Sequence, residues 1–274
     1  MAIQLTDEYI RPKGGNTTGR EFAVLAVMTL MLIAVACTKK NSVDPRLADE
    51  MPRKIVWAWE RPEDLTFLDP NEYGVAFLAQ TIYLEGDSVV PNRRRQPLEI
   101  TPGSYVIAVT RVETNKETSK RPSMSDDMVE RTATLIAATL ELPDVRGLQI
   151  DFDAVSSERA FYRRLVNKVR GKTPSWRSLT ITALASWCVG DAWFNDFPVD
   201  EAVPMVFQMG ADAEKILNFL RNDTDWRAPL CRGSYGISVD EALEAPIKPG
   251  RRIYLFSNTA WKRSDIDRVN QLTR

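Results

Sequence analysis

Apolar positions fall into short runs separated by polar stretches that carry Gly and Pro, and the spacing within the runs switches between two periods. Ile55-Val56-Trp57-Ala58-Trp59-Glu60 is a β-prone run ended by Arg61-Pro62. Val75 to Leu84 is a second, closed by Gly86-Asp87, and Tyr105 to Val112 a third, introduced by Pro102-Gly103. Their length and their β-branched and aromatic content predict strands. Helical spacing follows: Val129, Ala133, Ile136, Ala137 and Leu140 share one face, Ser125 is placed to cap it, Asp126 and Asp127 suit its positive end, and Pro143 stops it. Val145 to Phe152 predicts a fourth strand. A helix capped by Ser156 or Ser157 follows, with Phe161, Leu165, Val166 and Val169 in a stripe. Leu179 to Ala185, Val203 to Met209, Ser234 to Ser238 and Ile253 to Phe256 predict strands five to eight. Asp212 is placed to cap a short helix through Leu220, Asp240 to Leu243 predicts another, and Asp265 to Leu272 a last one.

Strands alternating with helices predict an α/β domain with a parallel sheet. Eight such strands match a (β/α)8, TIM-barrel-like single domain, with short or missing helices after the first, second and fifth strands. The alternative is an open doubly wound sheet, but no G-x-G-x-x-G or G-x-x-x-x-G-K-[ST] loop is present to support one. The 274-residue length suits one large domain.

The N-terminal residues follow another pattern. A polar stretch with Arg11, Lys13 and Arg20 precedes an uncharged apolar run from Phe22 to Ala36. That run is shorter than the ~20 residues of a spanning helix and has the length of a signal-peptide core. Ala34-Val35-Ala36-Cys37 resembles a bacterial lipobox, which implies lipidation at Cys37. A plain signal peptide or a short uncleaved anchor is the alternative. The expected organisation is a signal peptide with lipobox over residues 1–37, a tether over 38–53 and the barrel over 54–274. The resemblance implies export to the cell envelope and a lipid anchor in a membrane, and Thr38 after Cys37 leans toward the outer membrane.

Composition removes reaction classes. The chain has no His, so triads and zinc sites that need imidazole are excluded. Three Cys without a C-x-x-C give no thiolate zinc site. Lys+Arg 36 against Asp+Glu 37 gives no basic excess for nucleic acid. No cofactor motif is present, and acid–base chemistry falls to carboxylates, Lys, Tyr or Cys. Cys188 and Cys231 are candidates for a disulfide in an exported domain, provided they do not lie at opposite ends of the barrel. Asn92-Arg93-Arg94-Arg95-Gln96 reads as a solvated hairpin tip.

In such a barrel the site lies at the C-terminal ends of the strands. The polar residues expected there are Glu60, Arg111, Glu113, Asp151, Asp153 and Gln208, with Trp59, Trp187 and Trp261 as stacking surfaces. Paired carboxylates and indole rings are what a sugar site needs. In Gly147-Leu148-Gln149-Ile150-Asp151-Phe152-Asp153, alternation puts Gln149, Asp151 and Asp153 on one side of the strand. Crowded carboxylates push one pKa upward, which suits a general acid. The alternative is that Asp151 and Asp153 merely cap the next helix. Arg111 is placed to bind an acidic sugar or to neutralise the two Asp.

The segment resembles the fourth-strand motif D-x-x-D-x-D-x-E of family 18 chitinases. Gly147, Asp151 and Asp153 take the places of its glycine, last Asp and catalytic acid, while Arg146 and Gln149 replace the two earlier Asp. A wider resemblance, carried by Val56 to Leu65, Leu148 to Ala154, Ile181 to Cys188 and Pro198 to Met205, is to a bacterial family known as domain of unknown function 3142. It implies a barrel related to glycoside hydrolases. The expectation is hydrolysis of glycosidic bonds in a polysaccharide or oligosaccharide. Asp153 is the acid, Asp151 tunes it, Glu60 or Glu113 is the second carboxylate, and Gln149, Arg111, Trp187, Gln208, Trp59 and Trp261 bind substrate. The rivals are a non-catalytic glycan-binding or envelope-assembly lipoprotein on the same scaffold, and a carboxylate-held Mg²⁺ or Ca²⁺ hydrolase using Asp151, Asp153 and Glu60.

Overall fold

All eight predicted strands form, and they close on themselves. The computed structural model describes residues 50–191, 193–222, 224–242 and 246–272. The expected signal segment, Cys37 and most of the tether lie outside the described residues. In chain order the strands are β1 (Lys54–Ala58), β2 (Glu63–Leu65), β3 (Tyr73–Glu85), β4 (Ser88–Arg93), β5 (Leu98–Ile100), β6 (Tyr105–Thr114), β7 (Val145–Asp151), β8 (Ser178–Leu184), β9 (Glu201–Met205), β10 (Ser234–Ser238) and β11 (Arg252–Phe256). The helices are α1 (Asp126–Ala137), α2 (Arg159–Lys172), α3 (Ala185–Val189), α4 (Ala213–Arg221) and α5 (Arg263–Leu272). The sheet order β1-β11-β10-β9-β8-β7-β6-β3, closed by parallel pairing of β1 with β3, is an eight-stranded parallel (β/α) barrel of the TIM type. Its seam is between β9 and β10, which share the single register pair Gly236 with Met205.

Alternation sorts the strand residues into two cores. Val56, Ala108, Leu148, Ile150, Leu179 and Ile181 face outward into a core shared with residues of α1, α2, α4 and α5. Ile55, Trp57, Ile107, Val109, Tyr254 and Phe256 fill the barrel. At Gly147 a Cβ would lie 1.9 Å from the Ser178 hydroxyl, so only glycine lets β7 approach β8 at this point. A bulge between Leu78 and Gln80 turns Gln80 out of the barrel. There its amide donates to Thr110 Oγ1 at 3.1 Å and to the Leu135 carbonyl at 2.9 Å.

The N-terminal end of the barrel is closed by a polar layer built on paired side chains, in which the buried Ser234 hydroxyl has no partner among the described residues. Arg252 pairs with Glu201 at 2.7 Å, Tyr254 donates to the same carboxylate at 2.7 Å, and Tyr105 bonds Ser178 at 3.0 Å. Met51, 5% exposed, packs in this layer, so the chain enters the barrel from this end.

One helix cap is as expected, and local details differ from expectation in three places. Ser125 caps α1, accepting from the Met128 amide at 3.2 Å. Neither Ser156 nor Ser157 caps α2; a short 3-10 turn precedes it, and Glu158 accepts the Val155 amide at 2.9 Å. Residues 240–242 form a turn instead of a helix, so the expected element at Asp240 is absent among the described residues. Asn92 to Gln96 is largely solvated, with Arg93, Arg95 and Gln96 exposed, but it is not the hairpin tip. The hairpin turns at Gly86-Asp87, whose glycine has φ 51°, and Arg94 donates to the carbonyls of Trp59 and Arg61 at 2.5 Å each. The missing helices after β1 and β3 are replaced by the β2–β5 ribbon and the β3–β4 hairpin.

Cys188, on α3, and Cys231, in the 3-10 turn before β10, form a disulfide with Cα atoms 6.0 Å apart. α3 lies over the outside of the barrel, where the amides of Arg227 and Ala228 both donate to the Cys188 carbonyl. That contact brings the two cysteines together.

Candidate functional site

β7 delivers Asp151 to the C-terminal mouth of the barrel as its last residue. The carboxylate is 4% exposed, accepts the Thr182 hydroxyl of β8 at 2.6 Å and pairs with Arg111 of β6 at 3.1 Å. Burial pushes its carboxyl up, against the pull of Arg111 and Thr182. Arg111 also pairs with Glu113 at 2.5 Å and lies over the Trp59 ring at 5.9 Å from its centre. Burial works against its charge, but Asp151 and Glu113 outweigh it and hold the guanidinium above its ordinary value.

Asp153 follows two residues on, past the end of the strand, and opens into a cavity of about 280 Å³. Among the described residues it has no hydrogen-bond or ion-pair partner. The residue is exposed at the mouth, with Asp151, Arg111 and Glu113 within electrostatic reach. Burial, then the charge of Asp151, pushes it up to about 6, with Arg111 opposing. Neither Asp caps the following helix, so the capping alternative is removed by Asp151's actual partners and by Glu158's role there.

The cavity lies just below the ~300–1,000 Å³ usual for small-molecule pockets, room for one small ring system. Trp57, Trp59, Phe207 and Phe256 form its aromatic wall, and Arg111, Asp151, Asp153, Gln208 and Asp212 supply its polar groups. Gln208 holds a left-handed backbone, φ 48°, and its amide donates to Glu241 at 3.2 Å. A non-glycine residue in that region is strained, and such strain clusters at functional sites.

Five expected site residues are not brought to the cavity. Glu60, half-buried beyond β1, lies within electrostatic reach of Arg94. Glu113 points its carboxylate at Arg111 and does not line the space. Gln149 is fully buried one layer deeper, accepting from the Trp57 indole at 2.7 Å and donating to Thr180 at 3.1 Å. Its place in the interior is as expected, but its polar atoms are committed to the barrel. Trp187 is 5% exposed and packs edge-on against Trp193 at 5.1 Å, between helices. Trp261 donates its indole N–H to the Trp57 carbonyl at 2.9 Å, fixing the strand that carries Trp59.

Two residues are gained. Asp212 does not cap α4; it makes no side-chain cap bond and lines the cavity instead. Thr182 orients Asp151, and it was legible, because it shares the inward side of β8 with Thr180. Among the described residues no group of three His, Cys, Asp or Glu stands together as a metal site, and no helix is long and apolar enough to cross a membrane. Compared with family models, curated proteins and solved structures, the chain matches none.

Proposed function

We propose that this is an exported, lipid-anchored protein whose barrel hydrolyses glycosidic bonds, related to the glycoside-hydrolase barrels its fourth strand resembles. The single observation that supports this best is Asp153: an unpartnered carboxyl pushed up to about 6, beside a buried Asp151, in an aromatic-walled cavity at the barrel mouth. A carboxylic acid that keeps its proton near neutral pH can protonate the leaving oxygen of a glycoside. Asp151, held by Arg111 and Thr182, supplies the neighbouring charge that keeps that proton on. The second carboxyl of such a mechanism is assigned to Asp212, because it lines the cavity and Glu60 and Glu113 do not. Trp59 offers a face for a sugar ring.

The test is reducing-sugar release from a panel of bacterial and plant polysaccharides, by the protein and its Asp153→Asn variant. Release that falls about 100-fold or more in the variant supports Asp153 as the acid. Equal release by both proteins refutes the assignment. Sugar binding without product in either protein moves the reading to a non-catalytic glycan-binding lipoprotein.

A further inference from the structure

We infer that the sugar this cavity takes carries free amino groups, an inference that rests on the glycan reading above. The lining holds three carboxyl groups, Asp151, Asp153 and Asp212, against one guanidinium, Arg111. That guanidinium is already committed, to Asp151 at 3.1 Å and to Glu113 at 2.5 Å. The lysine within electrostatic reach of Asp153, Lys116, is paired with Glu158 at 2.7 Å, so among the lining residues a uronate or a sulfated sugar would find no free cation and would meet the unpaired carboxyl of Asp212.

Asp153 and Asp212 enter from the loops after β7 and β9. Neither has a hydrogen-bond or ion-pair partner among the described residues, whereas Asp151 in the same cavity has two. A protonated sugar amine satisfies such acceptors as both donor and counter-charge. The aromatic lining works in the same direction, because aromatic rings attract a cation and not an anion, as Trp59 already does with Arg111. An N-acetylated sugar offers only a neutral amide donor at that position. The cavity is therefore matched to a glycan with at least some unacetylated amino sugars.

Calorimetry with the full chain tests this, using tetramers of β-linked glucosamine, of N-acetylglucosamine and of galacturonic acid at a pH where the amine is protonated. The glucosamine tetramer is expected to bind about tenfold or more tightly than the acetylated one. Its advantage should shrink as salt is raised. Asp212→Asn, at an exposed position whose loss leaves the fold intact, should abolish most of the preference. Equal or tighter binding of the acetylated or uronate tetramer overturns the inference, as does a preference that Asp212→Asn leaves unchanged. Preferential binding of the glucosamine tetramer without hydrolysis would remove the hydrolase reading and leave this one standing. Hydrolysis of neutral polysaccharide with no preference for the amine would do the reverse.

Discussion

Replacing Asp151 by Asn should lower the pKa of Asp153, and the size of the change can be worked out. The two residues are separated by one intervening residue, ~6.6 Å along an extended chain. A unit charge at that distance acts with ~2.5 kcal/mol at an effective dielectric of 20 and ~0.6 kcal/mol at that of water. Asp153 opens to the cavity, so its surroundings lie between these limits, and at 1.36 kcal/mol per pH unit the drop is roughly 0.5–2 units from its value of about 6. It should not fall to the ordinary carboxylate value, because burial is the larger cause and survives the substitution. The freed Arg111 acts in the same downward direction. Asn preserves the acceptor for Thr182, so the fold should be kept. The measurement is carboxyl carbon NMR of Asp153 across pH in both proteins. If the protein hydrolyses glycans, the pH–rate profile is a second readout: activity needs protonated Asp153, is lost as pH rises through its pKa, and the variant should lose it at lower pH. An unchanged or raised pKa would mean that Asp151 is already neutral where Asp153 titrates and lends it no charge.

Two further predictions concern the supports of the site. Arg111→Gln leaves Asp151 buried beside Glu113 without a counter-charge and should cost about 2–4 kcal/mol by urea unfolding, below the full cost for a completely buried pair because the arginine side chain is 32% exposed. Adding Asp151→Asn should recover most of that loss, and a single-variant loss within the error of the midpoint would show that the pair is not structural. Replacing Cys188 and Cys231 by Ala should cost about 4 kcal/mol on chain-entropy grounds, given their sequence separation of 43. Unfolding midpoints that match under oxidising conditions would contradict it.

The barrel was legible because its signal is repeated eight times. A missed boundary in one strand, such as β9 ending at Met205 and not at Met209, left the rest intact. Alternation also placed Gln149 and Asp151 correctly in the interior. What alternation cannot give is depth along the barrel axis. Gln149 and Asp151 share one side of β7, but one is locked against Trp57 and Thr180 while the other reaches the mouth. Tryptophans are ambiguous for a related reason: Trp59 and Trp187 both follow strands, yet α3 folds Trp187 into the outer layer. Asp212 was hidden by its position before a helix, where an Asp reads as a cap. The disulfide was open in the sequence because it depends on where α3 comes to rest, a tertiary matter.

The two ends of the barrel treat their charges differently, and that contrast is a separate physical ground for putting the site at the mouth. At the N-terminal end Glu201 is buried with two partners, Arg252 and Tyr254, which is how an interior carboxylate is made tolerable. At the C-terminal end Asp151 is satisfied in the same way, by Arg111 and Thr182. Asp153, exposed at the mouth but raised to about 6 by burial and by Asp151, and Asp212, which faces the same space, have no hydrogen-bond or ion-pair partner among the described residues. Both residues are exposed, so water solvates their carboxyls and folding does not require a protein donor there. What packing alone does not call for is the like charge that the Arg111–Asp151–Thr182 cluster fixes beside Asp153. Two carboxyls without a protein partner among the described residues, one of them raised, facing an aromatic-walled cavity are the arrangement expected where a ligand supplies the donor.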